Sequence, residues 1–414
     1  MPSRYRHGAQ LLRPADETEL VEMLRAVVAS GRPVEIAGGS ALAAFGRPVA
    51  AALRLELTAL QGVVCYEPGE LVLTARAGTA LAEIERLLET QAQCLAFEPP
   101  DLGPLLGSPA GGLTLGGLVA AGLSGSRRFK AGAVRDHLLG ARAVSGHAEP
   151  FVCGGRVVKN VTGFDLPKLL VGSFGTLAVL SELTFKVVPM PAAIATLGVR
   201  GLSAEAAVDL MSRALHTAAA VSGACHLPAE VLWPGMPGIG ATGDNRAVTL
   251  LRLEGSPVSL AARRDLLRCL SSGHDSTWLD TTASRLLWRA IGAVAPFVGS
   301  SRSVWRLSVP PAQGGGALQR LLAGLPGARG FLDWAGGLIW LELADDIDAQ
   351  VPAVRAVVAA TGGHATLVRA APGLRRELPL FQPPAGIERR LVNAIKRQFD
   401  PQGILNPGRM YADL

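Results

Sequence analysis

The sequence predicts an α+β protein of two globular domains with a returning C-terminal tail, and three observations carry that reading. Its 414 residues are too many for one compact core. Residues 1–190 alternate helical and strand periods around glycine-rich bends, whereas 191–385 show strand alternation with short helices and no regular βαβ spacing, as an antiparallel α+β domain does. Residues 386–414 stand apart, with an amphipathic helix over 386–399 and then Asp400-Pro401-Gln402-Gly403, which has turn chemistry.

Taken in order, Asp16 and Glu19 form a capping pattern ahead of Leu20, Leu24, Val27 and Val28, which share one helical face until Gly31 closes it. Pro33 to Ala37 is a short strand that runs into Gly38-Gly39-Ser40. Leu71 to Arg76 is another, followed by a helix with Leu81, Ile84 and Leu88 inward, and residues 175–188 turn strand-like again. Beyond 190, strand alternation recurs at 247–253, 304–309 and 338–343, with a helix carrying Leu318, Leu321, Leu322 and Leu325 between the last two.

Composition excludes several classes. A chain that is 49% hydrophobic and 18% charged is not disordered, and its 49 Gly and 28 Pro follow no fixed period. The net charge of +6 comes from scattered arginines, and with only 5% aromatic residues no nucleic-acid surface is indicated. Lys130, Lys159, Lys168 and Lys186 bias one stretch toward an anionic ligand. The five cysteines lie far apart without a C-x-x-C pair, and the first residues show no apolar leader, so a reducing cytoplasm is expected. Residues 102–126 carry no charge, yet two prolines and eight glycines make them a buried glycine-rich loop rather than a membrane span. Residues 238–243 fit G-x-G-x-x-G, but they sit in a connecting loop that leads to a strand, where no helix N-terminus could meet a pyrophosphate.

A distributed signal is stronger. Loop one is Ala37-Gly38-Gly39-Ser40-Ala41-Leu42, and loop two is Thr114-Leu115-Gly116-Gly117-Leu118, continuing to Gly122-Leu123-Ser124-Gly125. Glycines let several backbone N–H groups approach a diphosphate unobstructed by Cβ atoms, although either loop alone is more readily a pair of tight turns. Residues 132–140, the run from Gly154 through Lys159, Asn160, Thr162 and Gly163 to Leu166, and the run Gly172 to Leu180 complete the set. Together with residues 303–310, 362–366 and 399–409, they resemble the PCMH-type FAD-binding domain of the vanillyl-alcohol-oxidase superfamily. Within it they resemble the family of the FAD-binding E subunit of bacterial glycolate oxidase.

That resemblance implies a PCMH-type domain of two α+β subdomains over 1–190, an antiparallel α+β cap over 191–385 and a tail packing back on the first domain. It implies that loops one and two embrace the FAD diphosphate, while Lys159, Asn160, Thr162, Gly163, Gly175, Thr176 and Val179 line the flavin and adenine sides, with Asn406 of the tail nearby. Residues 38–42 hold no His or Cys, so the FAD is expected to be non-covalent. Relatives often carry a Ser-Lys pair where this chain has Ala41-Leu42. The related dehydrogenases mark a metal site with H-G-D-G-N-x-H, which is absent here, so no metal ligand and no catalytic residue is identified in this chain.

The implied activity is FAD-dependent oxidation of a CH-OH group, glycolate to glyoxylate, within a complex. Its partners would be a second flavoprotein subunit bearing the metal-dependent site, an iron–sulfur subunit, and glycolate or a similar small 2-hydroxy acid. The complex would be cytoplasmic, with peripheral attachment at the inner membrane. Two alternatives stay open: a self-sufficient 2-hydroxy-acid dehydrogenase with Arg306 or Lys159 as carboxylate anchor, and a scaffold subunit with a vestigial flavin pocket.

Overall fold

A computed structural model describes residues 10–157, 163–239, 245–344 and 350–414. The first helix, Glu17–Ser30, starts where the Asp16 side chain accepts from the Glu19 N–H and stops where Gly31 turns left-handed at φ 61°. Its buried face, Leu20, Leu24 and Val27, packs with Val34, Leu55 and Val179 and with Ile404 and Leu405 of the tail. Sequence periodicity therefore sets the helix, and a segment almost 400 residues later completes its core.

By its contacts the chain divides into two units, Met1–Leu123 with Ala133–Pro189 and Pro372–Leu414, and Ser124–Gly132 with Met190–Ala371. Sequence boundaries at 190 and 385 thus stand beside structural ones at 189 and 371. The excursion 124–132 groups with the second unit.

In the first unit, a three-stranded parallel sheet orders Gln10–Leu12, Leu53–Glu56 and Val34–Ala37. A parallel bridge from Val34 to Leu405 brings the tail onto its edge. A five-stranded antiparallel sheet runs Val63–Glu67, Val72–Arg76, Ala178–Lys186, Leu138–Ser145 and Pro150–Gly154. These are two α+β layers, as expected.

The uncharged stretch 102–126 is not loop throughout. Thr114 caps a short helix, Leu115–Ala121, by accepting from the Gly117 N–H, and Leu115, Leu118 and Val119 are buried. Three apolar side chains on one face outweigh two helical glycines. Among the described residues no helix is long and apolar enough to cross a membrane.

The second unit is built on an eight-stranded antiparallel sheet in the order Ser276–Leu279, Ala193–Arg200, Val248–Gly255, Gly223–Leu227, Arg329–Asp333, Leu338–Glu342, Val304–Ser308 and His364–Arg369. Glu342, fully buried, holds Arg329 at 2.5 Å and Arg369 at 3.0 Å. The antiparallel α+β expectation for this region stands.

Candidate functional site

Loop one leaves the strand Val34–Ala37 and packs directly on loop two. A Cβ at Gly38 would collide with the Thr114 hydroxyl, and one at Gly39 with the Gly112 carbonyl, so only glycine lets the loops close on each other. Together they wall a groove lined by residues 35–43, Arg54, 112–114, Gly117, Ala120, Ala121, Phe174, Asn406 and Arg409. It continues past Gly116, Gly175, Ala178 and Leu180. All of these belong to the first unit.

The groove is polar in a particular way. Among the described residues, none of the amide N–H groups of Gly38 through Leu42 donates to a protein acceptor. Five consecutive amides without protein acceptors beside a groove form a ready-made anion cradle. Ser40 takes φ 64° there, a left-handed conformation that costs a non-glycine residue about 1 kcal/mol.

The far side of loop one is laced to the C-terminal segment. Arg375 donates to the carbonyls of Ala43 and Gly46, and Arg409 to those of Leu42, Ala43 and Arg47. Burial first, then the charges of Arg375 and Arg54, push the Arg409 guanidinium down to about 10, with Glu35 opposing, so it stays charged at neutral pH. Phe45, Phe174 and Phe381 pack edge-on and stacked at centroid distances of 4.9–6.2 Å, fixing the loop against the same segment. Asn406 is the pin: its side chain accepts from the Ile36 N–H and donates to the Phe174 carbonyl, both at 2.8 Å.

Among the sequence-selected residues, Ala37, Gly38, Gly39, Ser40, Ala41, Leu42, Thr114, Gly116, Gly117, Gly175 and Asn406 meet around this groove. Others lie elsewhere. Leu115 is fully buried at the helix start, and Gly122, at φ 64°, caps that helix, with its amide donating to the Val119 carbonyl. Ser124 and Gly125 group with the second unit, where the Gly125 carbonyl accepts from the Trp334 indole at 3.0 Å. The Thr176 hydroxyl turns back to the Ser173 carbonyl, and Val179 sits in the core. Gly163 is exposed at φ 75°, and Lys159, Asn160 and Thr162 lie outside the described residues. Sequence reasoning missed Glu35, Arg54 and Arg409 as site residues, whereas Phe174 lies in the run Gly172 to Leu180 already expected to line the cofactor. Only the arginine of the Asn406-Pro407-Gly408-Arg409 run offered a signal.

In the second unit, Arg306 and Arg128 stand over the Trp334 ring at 5.1 and 4.4 Å. The Arg306 side chain makes no hydrogen bond or ion pair among the described residues, and burial, then Arg128, push its guanidinium down to about 10. Partial desolvation, then Arg306 and Arg128, lower the pKa of His364. Burial pushes the Cys153 thiol up to about 11 and that of Cys225 well above its ordinary value, so neither is a thiolate nucleophile near neutral pH. Among the described residues no group of three or more His, Cys, Asp or Glu is placed to hold a metal ion.

The comparisons agree with this geometry. Residues 9–154, which include both loops, match the FAD binding domain family. The chain is 34% identical over 410 residues to the glycolate oxidase subunit GlcE of Escherichia coli (strain K12), covering 98% of this chain and 100% of that protein. It is 28% identical over 165 residues to the glycolate oxidase subunit GlcD of Bacillus subtilis (strain 168), covering 40% of this chain and 32% of that one. The p-cresol methylhydroxylase structure superposes with a TM-score of 0.71 at 15% identity, over 97% of this chain and 88% of that one, which shows a shared fold. A glycine-closed amide cradle of the PCMH type, in a chain that aligns with GlcE from end to end, identifies FAD as the cofactor. The chain belongs to the GlcE family of FAD-linked oxidoreductases.

Proposed function

We propose that this chain is the FAD-binding subunit of a glycolate oxidase complex that converts glycolate to glyoxylate. The observation that carries the reading is the loop-one cradle, five unpaired amides closed by loop two, in a chain matched to GlcE along its whole length. FAD, when bound, would supply the capacity to take up electrons and pass them onward, chemistry the cofactor brings with it. The protein's share is to hold the diphosphate on the amides of 38–42, to exclude water with Phe174 and Ala178, and to keep the loop fixed through Asn406. Among the described residues no histidine or cysteine lines the groove, which supports a non-covalent hold.

The chain lacks the H-G-D-G-N-x-H string, so in this reading substrate polarisation falls to a second flavoprotein subunit and the electrons leave through an iron–sulfur subunit. The assembly works in the cytoplasm or at the inner face of its membrane. Arg306 favours a second reading. A half-buried guanidinium with no carboxylate partner, backed by Arg128, suits the carboxylate of a 2-hydroxy acid, which would make this chain a dehydrogenase by itself.

One experiment separates them. The purified chain should be yellow, with a flavin spectrum that glycolate leaves unbleached until the partner flavoprotein is added. Anaerobic bleaching of the isolated chain by glycolate or D-lactate overturns the subunit reading in favour of the second, and a colourless chain that takes up no FAD overturns both.

A further inference from the structure

Loop one presents amides but no cation: between Gly38 and Leu42 the only polar side chain is Ser40. A diphosphate held in a groove this closed carries negative charge that amide dipoles meet only in part, and a guanidinium is the side chain best shaped to meet the rest. The groove has one. Arg54, on the middle strand of the parallel sheet, is 8% exposed and lines the same wall as loop one. Its two terminal nitrogens donate to the Glu35 carboxylate and to the Ser40 hydroxyl, each at 2.8 Å. Glu35 lines the wall as well, and the donors of Arg409 and Arg375 are held by the carbonyls of Leu42 and Ala43. Three guanidinium groups against the single carboxylate of Glu35 leave this end of the groove with a surplus of positive charge.

We propose that Arg54 is the side-chain cation that meets the cofactor's diphosphate, taking the place of a cation within loop one. Arg409 and Arg375 are positioning residues: they hold the loop's carbonyls on the far side and so leave its amides to the groove. The Arg54 bond to Ser40 does the same from within, since it fixes the one non-glycine residue held at positive φ in the cradle. The inference rests on the FAD reading above and adds the residue that recognises the charge.

The test is fluorescence titration of the flavin-stripped full chain with FAD, at low and high ionic strength, and competition by ADP. Arg54→Gln should weaken FAD and ADP alike by about tenfold or more and flatten the salt dependence, with Arg54→Lys between it and the parent. Glu35→Gln, which frees Arg54 from its carboxylate and removes a negative charge from the groove wall, should tighten FAD binding. The proposal is overturned if Arg54→Gln binds FAD like the parent. It is also overturned if Glu35→Gln loses as much affinity, since then the pair merely braces the sheet. A parent chain that binds no FAD fails at the earlier reading and takes this one with it, an outcome visible before any variant is made.

Discussion

Asn406 shows how one side chain ties the site to the fold. At φ 43° its backbone is left-handed, and its amide spans the strand before loop one and the Phe174 carbonyl beside the groove. The neighbouring Gly175 leaves room for it, since a Cβ there would come within 2.8 Å of the Asn406 side-chain nitrogen. Asn406→Leu strands a half-buried donor at Ile36 and a half-buried acceptor at Phe174, each bond worth about 1 kcal/mol. The variant should unfold at lower denaturant and release FAD on gel filtration, while Asn406→Asp, which keeps the acceptor toward Ile36, should lose less. Equal denaturation midpoints for parent and Asn406→Leu would remove Asn406 from this role. The tail is pinned in the same way by Lys396, which is buried and donates to Asp400 at 2.6 Å and to the Thr176 carbonyl at 2.7 Å. The motif Asn406-Pro407-Gly408 was legible as unusual, but its partners were not, because they lie some 230 and 370 residues away.

At the scale of elements, the loops close because loop one carries no Cβ at Gly38 and Gly39, where it meets Thr114 and Gly112. Gly39→Ala would press a methyl into the Gly112 carbonyl, a backbone atom that cannot move aside. The expected product is a folded chain without bound flavin, checked by circular dichroism together with the visible spectrum. Gly155→Ala, with nothing within 4 Å of its new methyl, should keep both. A Gly39→Ala protein that still purifies yellow would mean the loops part when FAD binds. Periodicity placed the helices Glu17–Ser30, Leu81–Glu89 and Gly386–Phe399 well, since each carries a clear face and a stop. It missed Leu115–Ala121, where glycine content argued for loop and buried leucines decided for helix.

For the molecule as a whole, stability depends on pH through its buried groups. Burial pushes His226, whose ring nitrogen meets the Thr249 hydroxyl at 2.9 Å, down to about 4. Between pH 4 and the ordinary histidine value near 6.5, the unfolded chain therefore binds a proton that the folded one refuses. Stability is full above pH 6.5 and falls as pH drops toward 4, by on the order of 3 kcal/mol from this residue. All six tryptophans lie within residues 190–371, so their fluorescence follows the second unit, which also holds His226. Urea midpoints read from that fluorescence should drop from pH 7.5 to pH 5 in the parent and drop less in His226→Asn. Parallel losses in the two proteins would exclude His226 as the cause.

Local chemistry is written in the chain: caps, strand alternation, turn residues and the glycine runs come from neighbours within a few positions, and so do the strings that mark the family. The charge and the closure of the groove are not. Glu35, Arg54, Phe174 and Arg409 become neighbours only when a parallel sheet, a buried turn and a returning tail are packed together. Ser124 and Gly125 leave the glycine run for the other unit, drawn by Trp334. Periodicity reports which face of an element is buried, but hydrogen bonds and ion pairs between segments hundreds of residues apart exist only in three dimensions.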